Sequence, residues 1–244
     1  MSIKLISVSA VAAIRERRSE TAARLLEAAG KLFAANGFER TTSAEICRLA
    51  KTNNAAVNYY FGSFQELYCA TLAEAHSRLM NGDHLSAVAK DPEPASERLR
   101  KVIALFLRNA TGSAAATWPF RLLGREFLSP SPAFRQLRQE QILPKSDHLR
   151  QIIAEILQRP VHDPAVNRGL LCVVSPCLML LLMDRETLVE VFPGVVEKPV
   201  RKAGNEDGGE AEGRQGIEGG EGSETLEETI YRFALAGLGN ILPV

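Results

Sequence analysis

Apolar residues recur every three or four positions along most of this 244-residue chain, the spacing of helices that each bury one face. In SETAARLLEAAGKLFAAN, residues 19–36, the set Ala22, Leu25, Leu26, Ala29, Leu32 and Phe33 predicts one helix, with Ser19 as its N-cap. Gly37 ends it, because a left-handed glycine followed by Phe38 is a helix terminus with a hydrophobic closing contact. A second, short helix is predicted from TTSAEICRLA. Thr42 caps it, Glu45 completes a capping box, and Ile46 with either Leu49 or Ala50 faces inward. The turn KTNN leads to a third helix, AAVNYYF, closed by Gly62. Ser63 then caps a fourth helix, Phe64 to about Met80, with Leu67, Leu72, Ala75 and Leu79 as its inner stripe.

The stretch GDHLSAVAKDPEPAS reads as a loop between two regions, on its Pro and Asp content. Further helical patterns follow at 95–110, 116–128, 131–140, 145–158, 163–190 and 225–242, with prolines as punctuation. In the last of them Leu226, Ile230, Phe233, Gly237 and Ile241 form the expected stripe. The apolar run Leu170–Met183 is 14 residues long and interrupted by Pro176. It falls short of the ~20 residues that span a bilayer and reads as a buried helix. The opening MSIKLISVSAVAAI has one lysine and an apolar middle, which leaves two readings, a weak signal peptide or a flexible arm. A helix begins directly behind it, which favours the arm. The expected fold class is all-α.

Composition refines this picture. With 45% hydrophobic residues the chain can build a real core, and Lys plus Arg equal Asp plus Glu at 29 each. The balance is uneven along the chain: residues 1–70 hold nine basic and six acidic residues, a local +3. Cys47, Cys69, Cys172 and Cys177 lie in apolar helical patterns without a CxxC or a neighbouring His, so they read as buried reduced thiols of a cytoplasmic protein. Residues 193–224 hold nine glycines and eight acidic residues against four basic ones, which predicts a disordered insertion. His76, His84, His148 and His162 are dispersed, and no nucleophile elbow, phosphate loop or HExxH occurs. No catalytic residue, metal ligand or cofactor is expected.

Two short helices joined by a tight turn, the second with an exposed polar and aromatic face, are the minimal device for reading a major groove about 12 Å wide. Asn53 is placed to cap the third helix, while Asn54 and Asn58, four apart, share a face. Ala55 and Ala56 keep the helix start slim enough to approach bases, and Tyr59 and Tyr60 can reach phosphates. Val57 and Phe61 turn inward. Thr41, Thr42 and Ser43 open the second helix, where hydroxyl and N–H groups can meet a phosphate, and Lys51 in the turn adds a cation. The same residues also fit a plainer reading, asparagines as turn formers and Tyr-Tyr-Phe as packing.

Residues 15–80 resemble the N-terminal domain of TetR-family transcriptional regulators, on LLEAAGKLFAANGFERTTSAEICRLA, the signature NYYFGS and the ELY of the fourth helix. FRLLGREFLSPSPAFRQL at 120–137, LP at 143–144 and HDPAV at 162–166 resemble the CecR-like subgroup. The resemblance implies a flexible N-terminal arm over 1–14, a helix-turn-helix DNA-binding domain over 15–80, and a helical ligand-binding and dimerisation domain over 81–244 that contains the insertion 193–224. It further implies a homodimer through the last two long helices, a palindromic double-stranded DNA operator, and a repressor released by a small-molecule effector. No membrane partner is implied.

Four positions depart from the family pattern: Lys51 stands where a glycine is common, Thr52 where a buried valine is usual, Ala44 where a polar or basic contact is common, and Phe64 where a lysine usually meets a phosphate. Ala44 and Phe64 motivate an alternative, a helical sensor or adaptor that has lost specific operator binding. Phe106, Trp118, Phe120, Phe127, Phe134 and Met179 are candidates to line an effector pocket, with Arg121, Arg125 and Glu126 as polar anchors; ordinary core is the competing reading for the apolar ones.

Overall fold

Twelve α-helices and one π-helical turn make up residues 20–111, 118–195 and 225–241, the described part of the computed structural model, with no β-strand among them. The expected arm over 1–14, the cap Ser19 and residues 196–224 of the expected insertion lie outside the described residues.

The head is built from α1 (Glu20–Asn36), α2 (Ser43–Leu49), α3 (Ala56–Phe61) and α4 (Phe64–Leu79). Its punctuation follows the sequence closely. Gly37 has φ 81°, and Thr42 and Glu45 form the full capping box. Ser63 accepts from the Glu66 N–H at 3.1 Å. These caps matter because α2 and α3 are far shorter than the ~12–15 residues an isolated helix needs, so their order comes from packing. Leu25, Phe33, Ile46, Leu67 and Leu72 are fully buried beneath them, each worth about 1.5–3 kcal/mol of burial.

The body comprises α5 (Gly82–Ala89), α6 (Ala95–Thr111), α7 (Trp118–Leu128), α8 (Pro132–Leu137), a π-helical turn (Arg138–Ile142), α9 (Leu143–Leu157), α10 (Pro164–Leu182), α11 (Arg185–Val191) and α12 (Leu226–Gly239). The stretch read as a loop after Met80 contains α5. Asn81 caps it by accepting from Asp83 and His84, and Leu85, Val88 and Ala89 bury one face. The pattern predicted at 163–190 is two helices, because Asp184 caps a fresh start by accepting from the Thr187 N–H at 3.0 Å.

Head and body share one core. Phe106, Trp118, Phe120, Leu122, Leu123, Phe134 and Leu181 pack in the same cluster as Leu25, Phe33 and Leu67. A second cluster joins α5, α6, α9, α10 and α12 through Leu99, Ile103, Ile152, Val166 and Leu238. In α12 the buried residues are Ile230, Tyr231, Ala234 and Leu238. Phe233, expected in the inner stripe, is instead 66% exposed, because the helix is turned to seat Tyr231 under Arg100, whose guanidinium lies 4.3 Å from the ring centre.

Candidate nucleic-acid interface

The turn between α2 and α3 is drawn tight by local bonds. Ala50 N–H donates to Ile46, Lys51 N–H to Arg48 and Thr52 N–H to Cys47. Lys51 adopts φ 54°, the left-handed region that explains the glycine common at this position. Asn53 accepts from the Ala55 N–H at 3.1 Å and so caps the turn ahead of α3, while the helical N-cap position itself falls on Ala55, which has no side-chain cap.

From this turn one face points outward. Lys51, Asn53, Asn54, Ala55, Asn58 and Tyr59 are exposed and Tyr60 is half-buried, its ring 4.8 Å from that of Tyr59 in an edge arrangement. Val57 and Phe61 are buried and pin the helix to its neighbours. Ala56 is buried too, so the slim approach to bases expected of Ala55 and Ala56 rests on Ala55 alone.

The opening of α2 differs more from expectation. Thr41 is buried, and its hydroxyl donates to the Gly37 carbonyl at 2.8 Å, which ties off the end of α1 and removes it as a phosphate contact. Thr42 is exposed, but its N–H and its hydroxyl both donate to Glu45, at 2.9 and 2.8 Å. Those two bonds hold the Glu45 carboxyl below its ordinary pKa, the Thr42 hydroxyl contributing most. Ser43 is half-buried.

Arg48 and Leu49, both exposed near the end of α2 just before Lys51, were not singled out from the sequence as DNA contacts. The choice between Leu49 and Ala50 as the inward residue falls to Ala50. Phe64 has its own explanation: it packs edge-on to Phe33 at 5.5 Å and beside Phe38 at 5.2 Å, so it serves the head's aromatic cluster where the family pattern has a lysine.

Residues 25–71 match the model for bacterial regulatory proteins of the tetR family, and residues 95–191 match the C-terminal domain of the HTH-type transcriptional dual regulator CecR. The chain belongs to the TetR family. It is 27% identical over 172 residues to the HTH-type transcriptional repressor NicS of Pseudomonas putida, covering 68% of this chain and 74% of that one. It is 30% identical over 139 residues to CecR of Shigella flexneri, covering 54% and 62%. A crystal structure of an HlyIIR mutant protein with a linker substitution has the same fold, with a TM-score of 0.54 and 21% identity over 72% of this chain and 91% of that one. This TetR-family chain is therefore a non-enzymatic, DNA-binding regulator of transcription with a CecR-type body.

Within the described residues the expected effector set is spread over core, surface and a cleft. Trp118 is buried against the head: its indole N–H donates to Glu27 at 2.9 Å, and the Arg78 guanidinium lies 5.0 Å over its ring. Burial raises the Glu27 pKa, but the bonds from Trp118 and Arg78 outweigh it and hold the carboxyl below its ordinary value. Phe106 and Phe120 are core, Phe127 is half-buried against Phe134, and Arg121 is exposed. Met179 is 52% exposed, on the outward side of α10.

Of that set Arg125 and Glu126 line a cleft of about 650 Å³ between head and body. Glu126, buried at its base, accepts from the Tyr68 hydroxyl and from the Ser131 N–H at 2.9 Å. Burial and the adjacent carboxylate push the Tyr68 phenol far above its ordinary pKa, so it stays a donor.

The thiols divide by position. Cys47 and Cys177 are buried, Cys69 is half-buried, and Cys172 is exposed, contrary to expectation, because it lies on the outward side of α10. Among the described residues no group of His, Cys, Asp and Glu could hold a metal ion.

Helix α10 is also longer than its apolar run implied. It has 19 residues, Pro176 lies within it, and its mean hydropathy of 1.8 suffices by length and composition to cross a membrane. Only 39% of that window is buried.

Proposed function

We propose that this protein is a ligand-responsive repressor that binds a palindromic operator as a homodimer and is released by a small effector. In this reading the arm spans 1–14, the DNA-binding domain 15–80 and the ligand-binding and dimerisation domain 81–244, with an insertion at 193–224. It acts in the cytoplasm, where its operator is.

The observation that carries the reading is the pairing of two outward surfaces. The exposed Asn54, just ahead of α3, and Asn58 and Tyr59 on it have the hydrogen-bonding chemistry of major-groove recognition, and the exposed Arg48 and Lys51 earlier in the unit suit phosphates. On the body, Leu171 and Phe233 are each 66% exposed, and Met179 and Leu182 of α10 are exposed as well. An apolar surface of that kind on α10 and α12 favours a second copy of the chain as its cover. Two copies related by a two-fold axis present two reading helices to half-sites about one helical turn apart. An effector that favours one angle between the heads shifts operator affinity by its differential binding to the two states.

Selection of duplexes from a random DNA pool by the purified protein, sequenced at two salt concentrations, tests this directly. A palindromic motif bound by two protomers is the expected result. Absence of enrichment from a folded dimer would favour the adaptor, the reading to which Ala44 and the inward-packed Phe64 lend support.

A further inference from the structure

The cleft between head and body has walls of unlike origin. Phe38, Arg40 and Tyr68 come from the head; Arg125, Pro130 and Pro132 come from the end of α7 and the start of α8. Its volume of about 650 Å³ lies within the ~300–1,000 Å³ range of small-molecule sites. Two carboxylates belong to it. Glu126 is 3% exposed, with both oxygens engaged by Tyr68 and Ser131, and Glu39 is exposed on the rim.

The two cations are differently placed. Neither Arg40 nor Arg125 makes an ion pair or a side-chain hydrogen bond within the described residues. The exposed Arg125 guanidinium instead lies close to the turn at Gly37, where an added Cβ would stand 2.5 Å from its Nη2. A guanidinium beside a turn, with its donor fork unused among the described residues, is available to a planar oxyanion. Phe38, Pro130 and Pro132 offer the apolar surface beside it.

We propose that this cleft binds a small organic anion, a carboxylate or phosphate carried on a flat apolar body, and that its occupancy fixes the angle between head and body. The turn it would grip runs directly into Thr42, the cap of α2, so a ligand bridging Arg40 and Arg125 ties the start of the reading unit to α7. The coupling half of the proposal rests on the regulator reading above; the binding half does not.

Benzoate and phenyl phosphate, with neutral benzamide as control, are titrated into the full-length protein without DNA and followed by calorimetry and amide chemical shifts. At least one anion is expected to bind, shifting Gly37 and Ser129, while benzamide does not. Arg125→Gln is expected to weaken that binding about tenfold or more, while Arg121→Gln, exposed on the same helix but outside the cleft, leaves it unchanged. Equal binding of benzamide, indifference to Arg125→Gln, or shifts centred on Phe106 and Phe120 would each overturn the site. In a second arm the bound anion is expected to change the affinity for a selected duplex severalfold in the parent protein and not in Arg125→Gln. An unchanged affinity in a protein that binds both overturns the coupling.

Discussion

Gly30 of α1 lies so close to the Trp118 ring that an added Cβ would stand 2.2 Å from it. The glycine is required by close approach, because no side chain fits between the head and the one tryptophan of the chain. Gly30→Ala should force the indole away and strain the Glu27 and Arg78 contacts, destabilising the protein by about 1–3 kcal/mol. The indole emission reports the displacement, and a parent-like spectrum and melt would contradict the packing described.

Asn58→Ala and Tyr59→Ala should each weaken binding to a selected duplex about ten- to a hundredfold with an unchanged melting temperature. Phe61→Ala, which empties a buried position, should cost about 3–5 kcal/mol of stability. Calorimetric melts and duplex titrations on the three variants separate the two faces of α3; parallel losses in all three would join them.

Lys51→Gly should relieve the left-handed backbone and stabilise the head by about 1 kcal/mol. The same change should weaken binding to all duplexes alike and reduce the salt slope by about 1, as loss of one phosphate contact requires. Urea unfolding and a salt titration are the paired measurements.

His76 is buried between α4 and α9, where Lys145 Nζ lies 3.0 Å from its Nδ1 and the Gln141 side chain 3.3 Å away. Burial, then the Lys145 charge, lowers its pKa from 6.5 to about 4. Between those values the unfolded chain binds the proton and the folded one does not, so stability is full above pH 6.5 and is lost as pH falls toward 4. The group should account for about 2 kcal/mol of the stability lost between pH 7.5 and pH 5. His76→Gln should remove that share, as read from urea unfolding at the two pH values.

Phe233→Asp should yield a folded monomer in sedimentation, with parent-like helicity by circular dichroism. A dimer that persists would place the interface elsewhere.

Much of the head was legible because its signals are local. Gly37, the Thr42 and Glu45 box and the Ser63 cap each act within a few residues of where they are written. The burial of Val57 and Phe61 followed from the helical period. What the sequence could not convey depends on distant partners. Thr41 turns inward because the Gly37 carbonyl is there to receive its hydroxyl. Trp118 leaves the expected pocket because Glu27, 91 positions earlier, receives its indole N–H. Phe233 faces out because Tyr231 is drawn to Arg100 across a long stretch of chain. Helix α5 was missed for a nearer reason: Pro92 and Pro94 coloured the whole stretch, while Asn81, the cap, stood just ahead of it.

Six residues make up α3, and they answer to two separate constraints. Val57 and Phe61 keep the helix in place, while Asn58 and Tyr59 are exposed and, like Asn54 just ahead of the helix, carry no side-chain hydrogen bond to the described residues. Among the described residues, such a division leaves the outward positions free to change by mutation without retuning the fold. A lineage carrying this head can acquire a new set of target genes through a few surface substitutions, with the scaffold inherited intact.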